Sequence, residues 1–455
     1  MCSRATHRPR TRCGEAADGG VGNAKNSKLL VTPLTKTGRA GVEENLERSA
    51  QLREERMRRG LADRLVAILR RLRRFAGTGL LVLACAAPAA AGPREQAKRM
   101  HDRLVGVPPS EAVLTSMAAK IAANDAIGAA YEAMQNRYFY SSALKNLVTP
   151  WTNVDRTVFA DLNDYTATVI GMIRDDVPFN TVLSADLVYV GAPGVVATAY
   201  SHTNNDHYRQ LEAARVNLGD PTRLVPVPQS SLPGAVLAAG ETAGVITTRA
   251  AGEAFFSAGT NRRMWRFTTM NFLCRDMEQL KDVSRPTDRI RQDVSRSPGG
   301  DSSVFHNHCT GCHSGMDPMA GAYAYYEWDA ASERVVFSRG QVQPKYLINA
   351  NTFPFGYITT DDRWDNYWRA GPISVLGWRG TESGGFGAKS LGREVAASRA
   401  FSVCQVEKAF AYTCFRPVGS PEDRAAVEQI ADVFEAGSYS MKRVLAETAA
   451  YCMGN

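Results

Sequence analysis

The sequence predicts a mainly α protein. Apolar residues recur at helical spacing in several segments, and the C-terminal part carries recognisable helix start and stop residues. The hydrophobic fraction of 44% and the charged fraction of 22% are those of a soluble globular protein. With 455 residues, the chain is long enough to bury a large core in two or three domains.

Helices are predicted first in the segment 93–145. The first carries an apolar stripe before a break at Pro108 and Pro109, and the second carries Val113, Leu114, Met117 and Ile121. A third helix is predicted over 155–174, before Pro178, with a stripe of Val158, Leu162, Tyr165, Val169 and Met172. We interpret these stripes as core.

The C-terminal segment predicts two further helices. Ser420 is a typical N-cap, Pro421 suits the first helical position, and Gly437 is a typical helix end. Between them lie the apolar residues Ala426, Val427, Ile430, Val433 and Phe434. Ser440 is predicted to cap the last helix.

Residues 283–303 are polar and contain Pro and Gly, which is typical of a linker or a long exposed loop. We place a domain boundary there. The predicted organisation is an export leader over 1–91, a mainly helical domain of unknown function over 92–290, and a second domain over 291–455.

The predicted leader consists of a polar extension and a signal peptide. Four arginines precede an apolar run over 75–87, and three alanines at 89–91 offer a cleavage site. The run is shorter than the roughly 20 apolar residues that span a bilayer. An uncleaved membrane anchor and a lipoprotein attached at Cys85 stay open as alternatives. A start at Met57 would shorten the polar extension.

The positive charge of the chain belongs to this leader. The whole chain has 54 Lys and Arg against 46 Asp and Glu. Residues 1–91 contain 18 and 8 of these, which leaves 36 and 38 for the rest. The predicted mature protein therefore lacks the excess positive charge that holds phosphates, and nucleic acid is not a predicted partner.

One pentapeptide carries recognisable chemistry: Cys309-Thr310-Gly311-Cys312-His313. Two thiols at this spacing can add to the two vinyl groups of one haem, and the adjacent imidazole then reaches the iron. The motif predicts one covalently bound haem c, attached through Cys309 and Cys312, with His313 as the proximal iron ligand.

Other chemistries fit the same cysteines. Zinc is an alternative because His306 and His308 add two donors, although structural zinc sites usually take their second ligand pair from further along the chain. A redox-active dithiol and a plain disulfide are also alternatives. Outside the leader, the remaining cysteines allow two disulfides in three pairings, with free thiols as the alternative: Cys274, Cys404, Cys414 and Cys452.

The stretch HCTGCHSGMDPMAGAYAYYEWD, from His308 to Asp329, resembles exported cytochrome-like proteins built from several domains of unknown function. In those proteins Met-Asp-Pro, small residues and an acidic–aromatic–Asp ending follow the haem motif. Here they are Met316-Asp317-Pro318, Ala320-Gly321 and Glu327-Trp328-Asp329. The resemblance extends over most of 95–452. It implies a mainly helical, periplasmic haem protein and supplies no substrate.

The second axial ligand of the iron stays unassigned. Met316 is expected on the proximal side, Met319 would need an irregular loop, and Met441 is expected in the core. Three arginines could pair with haem propionates, but a solvated basic surface is favoured: Arg262, Arg263 and Arg266. Aromatic residues could line the haem or belong to the core: Tyr323, Tyr325, Tyr326 and Trp328.

The sequence thus predicts a helical N-terminal region followed by a cytochrome-c-like, haem-binding C-terminal domain. The expected function is single-electron transfer in the periplasm to a redox partner protein, with a membrane tether if the leader is uncleaved or lipidated. One alternative is a haem oxidoreductase, or a haem subunit of a degradative complex, with an open distal site. The other is a zinc- or disulfide-stabilised binding module.

Overall fold

The computed structural model describes residues 91–257, 259–349 and 351–454. The predicted leader therefore lies outside the described residues, apart from its last position. Within them the chain is mainly helical with little strand, which confirms the predicted fold class. The helices of eight or more residues are α1 (Pro93–Val105), α2 (Glu111–Ala122), α3 (Ala126–Ala133), α4 (Asp164–Arg174), α5 (Asp206–Ala213), α6 (Arg262–Phe272), α7 (Thr310–Ala320), α8 (Gly387–Ala396), α9 (Arg399–Cys414), α10 (Pro421–Ala436) and α11 (Met441–Cys452).

The strands of the described residues pair two by two, antiparallel. They are β1 (Val188–Gly191) with β2 (Leu224–Val227), β3 (Tyr326–Asp329) with β4 (Arg334–Phe337), and β5 (Arg363–Asp365) with β6 (Gly384–Phe386). Val188 lies opposite Val227, Tyr326 opposite Phe337, and Arg363 opposite Phe386. Each strand has only three or four residues, so these strands form three small two-stranded sheets among the helices.

Several helices begin and end where their capping residues predict. The side chain of Ser420 accepts a hydrogen bond from the Asp423 N–H at the start of α10, and Gly437 is the residue at its end. Ser440 caps α11 in the same way, by accepting from the Arg443 N–H. These capping residues suffice to predict where the helices begin, because a cap satisfies backbone N–H donors of the first helical turn.

The predicted helix over 155–174 is wrong in its first half. Helix α4 begins at Asp164, where the Asn163 side chain accepts a hydrogen bond from the Thr166 N–H. Before it, Val158 is exposed rather than part of a buried stripe. Asn153 holds this stretch as a loop, because its side chain binds both the carbonyl and the N–H of Thr157.

The first and last helices pack together. Helix α1 contacts α9 and α11, and α3 contacts α11. One hydrophobic cluster extends from Ala97 in α1 to Ala449 in α11. The described residues of 91–454 accordingly form one compact unit, and the boundary that we predict near residue 290 falls within it. In this part of the chain, no helix is both long enough and apolar enough to span a bilayer.

Helix α7, which contains most of the pentapeptide, lies against this core. It packs on α6 and on β5, and α6 in turn packs on α9. Gly315 in α7 allows a close approach to Trp368, because a Cβ atom at Gly315 would lie 2.0 Å from the indole Nε1. The helix is thereby fixed by its inner face, and its first turn remains nearer the surface.

Candidate haem attachment site

The pentapeptide lies at a junction between two kinds of helix. A π-helical turn over Phe305–Cys309 runs directly into α7, and Cys309 occupies the N-cap position of α7. Upstream, the Asp301 side chain accepts a hydrogen bond from the Ser303 N–H and caps the short helical turn that leads into Phe305. The motif is therefore held in helical geometry on both sides.

Helical geometry places the three predicted ligands on one face. Cys312 is three residues after Cys309, and His313 is four residues after it, which are the spacings of neighbours on a helix surface. All three side chains are partly exposed, whereas Thr310 and Gly311 are buried. The structure thus brings together the donors that the sequence predicts and leaves them accessible from solvent.

The other four described cysteines form two disulfides. Cys274 is bonded to Cys404 and Cys414 to Cys452, with Cα atoms 5.2 and 5.3 Å apart. This confirms two disulfides and selects one of the three pairings. Both thiols of the motif lie outside these bonds. Burial raises the pKa of the Cys312 thiol, which lies 3.7 Å from the carbonyl oxygen of Met277.

His313 has a defined hydrogen-bond partner on its own helix. Its Nδ1 atom lies 3.1 Å from Oδ1 of Asp317, one turn further along α7. Asp317 is fully buried at its side chain. Burial alone would raise the pKa of the Asp317 carboxyl, but the Arg262 guanidinium and the hydrogen bond from His313 hold that pKa well below its usual range.

An ionised carboxylate only accepts hydrogen bonds, so Nδ1 of His313 must be the donor. The lone pair of the neutral ring then lies on Nε2. Metal-binding histidines commonly use this arrangement, in which one ring nitrogen donates to a carboxylate and the other binds the metal. The donor set therefore fits a haem iron at Nε2, with thiols at Cys309 and Cys312 for covalent attachment.

The ion pairs around Asp317 correct one prediction. Arg262 is not part of a solvated basic surface, because its guanidinium binds the carboxylates of both Asp317 and Asp293. The Arg291 N–H donates to Oδ2 of Asp317, and the Arg291 guanidinium donates to the Asp317 carbonyl. Arg262 is 55 residues from Asp317 along the chain, so this pairing could not be predicted from either local sequence.

The segment 283–303 is irregular as predicted, but part of it is buried. Ile290 and Arg291 are at most 1% exposed, and Arg291 packs over the ring of Tyr346. Arg296 packs over the ring of Phe305 at the start of the π-helical turn. This segment is therefore packed into the fold and is not a free linker, since its charged residues have partners there.

The remaining candidates belong to the core or to the surface. Met316, Met319 and Met441 are buried in the hydrophobic core, and so are Tyr323 and Tyr326. His306 and His308 are exposed. Within the described ranges, no group of three or more His, Cys, Asp or Glu side chains is arranged to hold a metal ion.

The role of Asp317 was not predicted from the sequence, although the sequence contains a signal for it. His313 and Asp317 have the spacing of helix neighbours, and a carboxylate there can reach the imidazole. Chemically, the arrangement offers two thiols for thioether bonds and one oriented imidazole for a metal.

In comparisons with known proteins, the chain matches no family model, no curated protein and no solved structure.

Proposed function

We propose that this chain is a c-type haem protein that transfers single electrons. Cys309 and Cys312 would form the thioether bonds, and His313 would be the proximal ligand of the iron. The observation that carries the proposal is the pairing of His313 with Asp317, because it leaves Nε2 available on the same helix face as both thiols.

The attachment chemistry needs no oxidant. Each S–H would add across one vinyl C=C bond, so that a carbon–sulfur bond would form and the hydrogen would move to the neighbouring carbon. When bound, the haem supplies a one-electron couple, whose potential depends on the axial ligand and its surroundings. The protein contributes two covalent anchors, an oriented imidazole and a rigid inner face of α7.

We further propose that the protein acts outside the cytoplasm, in the periplasm. Two disulfides within one chain are typical of an oxidising compartment. They agree with the export leader that the sequence predicts over 1–91. A redox partner protein is the proposed source or acceptor of the electron, and a membrane tether remains part of the proposal if the leader is retained or lipidated.

The test is covalent haem attachment. Residues 57–455 are expressed in a host with cytochrome c maturation machinery, and the protein is stained for haem after denaturing electrophoresis. We expect a stained band for the native sequence and none for the C309A/C312A variant. An exported, folded protein that never stains would contradict the proposal and would favour zinc or a disulfide at the same cysteines.

A matched set of histidine variants tests the iron ligand. His313→Ala is expected to change the absorption spectrum of the bound haem, because the iron loses its proximal imidazole. His308→Ala removes an exposed imidazole one residue before the motif and should leave the spectrum unchanged. A high-spin spectrum that shifts on adding small ligands would instead favour an oxidoreductase with an open distal site.

A further inference from the structure

The carboxylate beside His313 is fixed from several sides. The Arg262 guanidinium donates through Nε to Oδ1 and through Nη2 to Oδ2 of Asp317, the latter at 2.9 Å. The Arg291 N–H donates to Oδ2 at 3.1 Å. With the imidazole of His313 also on Oδ1, both carboxylate oxygens are engaged. Asp317 therefore has one orientation, and its position relative to the ring is set by the fold.

The carboxylate of Asp317 belongs to a buried cluster of two guanidiniums and two carboxylates. Arg262 also forms a two-point ion pair with Asp293, with Nη2 2.8 Å from Oδ1. Arg291 directs its guanidinium to the carbonyl oxygens of Thr260 and Asp317, and its charge also acts on the carboxylates of Asp317 and Asp293. The side-chain acceptor of the His313 Nδ1–H is consequently an anion held in a buried site.

We propose that Asp317 is a positioning residue that lowers the reduction potential of the iron through His313. The inference rests on the proposed function, since it concerns the ligand that the haem would use.

The physical reason is the strength of the acceptor. Hydrogen bonds to an ionised acceptor are stronger than those to a neutral carbonyl, and they draw the Nδ1 proton away from the ring. The ring then gains electron density, and Nε2 becomes a more basic ligand. A more basic ligand stabilises the ferric state relative to the ferrous state, which lowers the potential.

The experiment compares two isosteric variants in the haem-loaded protein. Asp317→Asn and Asp293→Asn each remove one negative charge from the same guanidinium, but only Asp317 contacts His313. Haem staining and the haem content of each protein are measured first. Spectroelectrochemical titration then gives the midpoint potential.

We expect Asp317→Asn to shift the ferric–ferrous equilibrium at least tenfold toward the ferrous state, which for one electron is about +59 mV. Asp293→Asn should shift it by much less. Equal shifts in the two variants, or no shift in Asp317→Asn, would overturn the proposal. If the native protein itself binds no haem, the proposed function fails, whereas normal loading with an unchanged midpoint refutes only the role of Asp317.

A measurement on the native protein covers the case in which Asp317→Asn does not fold. With ¹⁵N-labelled histidine in the haem-loaded protein, the Nδ1 proton of His313 should be present and should exchange slowly, because its acceptor is buried. The exposed rings of His306 and His308 are internal references. An Nδ1 without a proton, or one that exchanges as fast as those references, would contradict the proposed hydrogen bond.

Discussion

Arg103 in α1 donates a hydrogen bond to the backbone carbonyl oxygen of Cys452, the last residue of α11, with an N···O distance of 2.6 Å. On the same face of α1, Arg99 donates to the Met453 carbonyl and Gln96 to the Gly454 carbonyl. The last carbonyls of a helix have no partner within it, and basic side chains near them also interact favourably with the helix dipole. Helix α1 thus caps the end of α11.

Arg103→Met should lower the free energy of unfolding by about 1.5–3 kcal/mol, the range for a hydrogen bond that involves a charged group. Methionine keeps most of the aliphatic side chain but leaves the Cys452 carbonyl without this donor. Arg94→Met is the control on the same helix, because Arg94 forms an exposed ion pair with Glu111 that solvent screening keeps weak. Urea denaturation at neutral pH measures both. Equal effects would show that α1 contributes only general packing.

The two disulfides close chain segments of different length. Cys274 and Cys404 are 130 residues apart, whereas Cys414 and Cys452 are 38 apart. Each C→A pair should lower the free energy of unfolding by about 2–5 kcal/mol, with the larger loss for C274A/C404A, because a longer loop has more entropy in the unfolded chain. Denaturant unfolding tests the order. Haem staining should persist in both variants, since Cys309 and Cys312 lie outside both bonds.

How much of the fold could be predicted depends on how local the deciding interaction is. The start of α10 at Pro421 was predictable, because Ser420 and Asp423 cap the helix within four residues. The start of α4 was not. Val158 continues the apolar spacing, but side-chain hydrogen bonds of Asn153 hold this stretch as a loop. The spacing of apolar residues contains no information on such hydrogen bonds.

The same distinction applies to the candidate site. The three predicted ligands lie within five residues, so the sequence places them on one face as soon as that segment is helical. Arg262 reaches Asp317 only through tertiary structure, from 55 positions away, and Asp293 reaches the same guanidinium from 31 positions away. A residue pair so far apart carries no local pattern, which is why Arg262 was interpreted as surface.

A half-buried histidine, His202, predicts acid sensitivity of the fold. Burial and the neighbouring Arg334 lower the pKa of His202 to about 4, below the value of about 6.5 in an unfolded chain. Its Nε2 is buried and has no hydrogen-bond partner in the described residues. Between these two pH values the unfolded state binds the proton more readily. The stabilisation is therefore complete above pH about 6.5 and is lost as the pH falls toward about 4.

His202→Gln should accordingly reduce the loss of stability between pH 7 and pH 5, as measured by urea unfolding at both values. His306→Gln, at an exposed position, is the matched control and should leave that loss unchanged. An identical pH dependence in the native protein and in H202Q would show that His202 gains its proton without cost in the folded state.

Alanine substitutions at two glycines of α7 are expected to have opposite effects on stability. A Cβ atom at Gly315 would lie 2.0 Å from Nε1 of Trp368, whose side chain is fully buried. A Cβ atom at Gly311 would meet only Val283 and Lys281, at 3.4 and 3.5 Å, which are ordinary contacts. The inner face of α7 therefore excludes a methyl group at Gly315, while the turn that carries the cysteines accepts one.

Gly315→Ala should lower the free energy of unfolding by about 1–3 kcal/mol, the typical effect of overpacking a core. Gly311→Ala should be neutral or stabilising by up to about 1 kcal/mol, because alanine is the better helix former. Both are measured by denaturant unfolding of the haem-loaded protein, with haem content as a second readout. If G311A were the more destabilising variant, α7 would have to face the core through its cysteine-bearing turn, and the ligand face described above would be wrong.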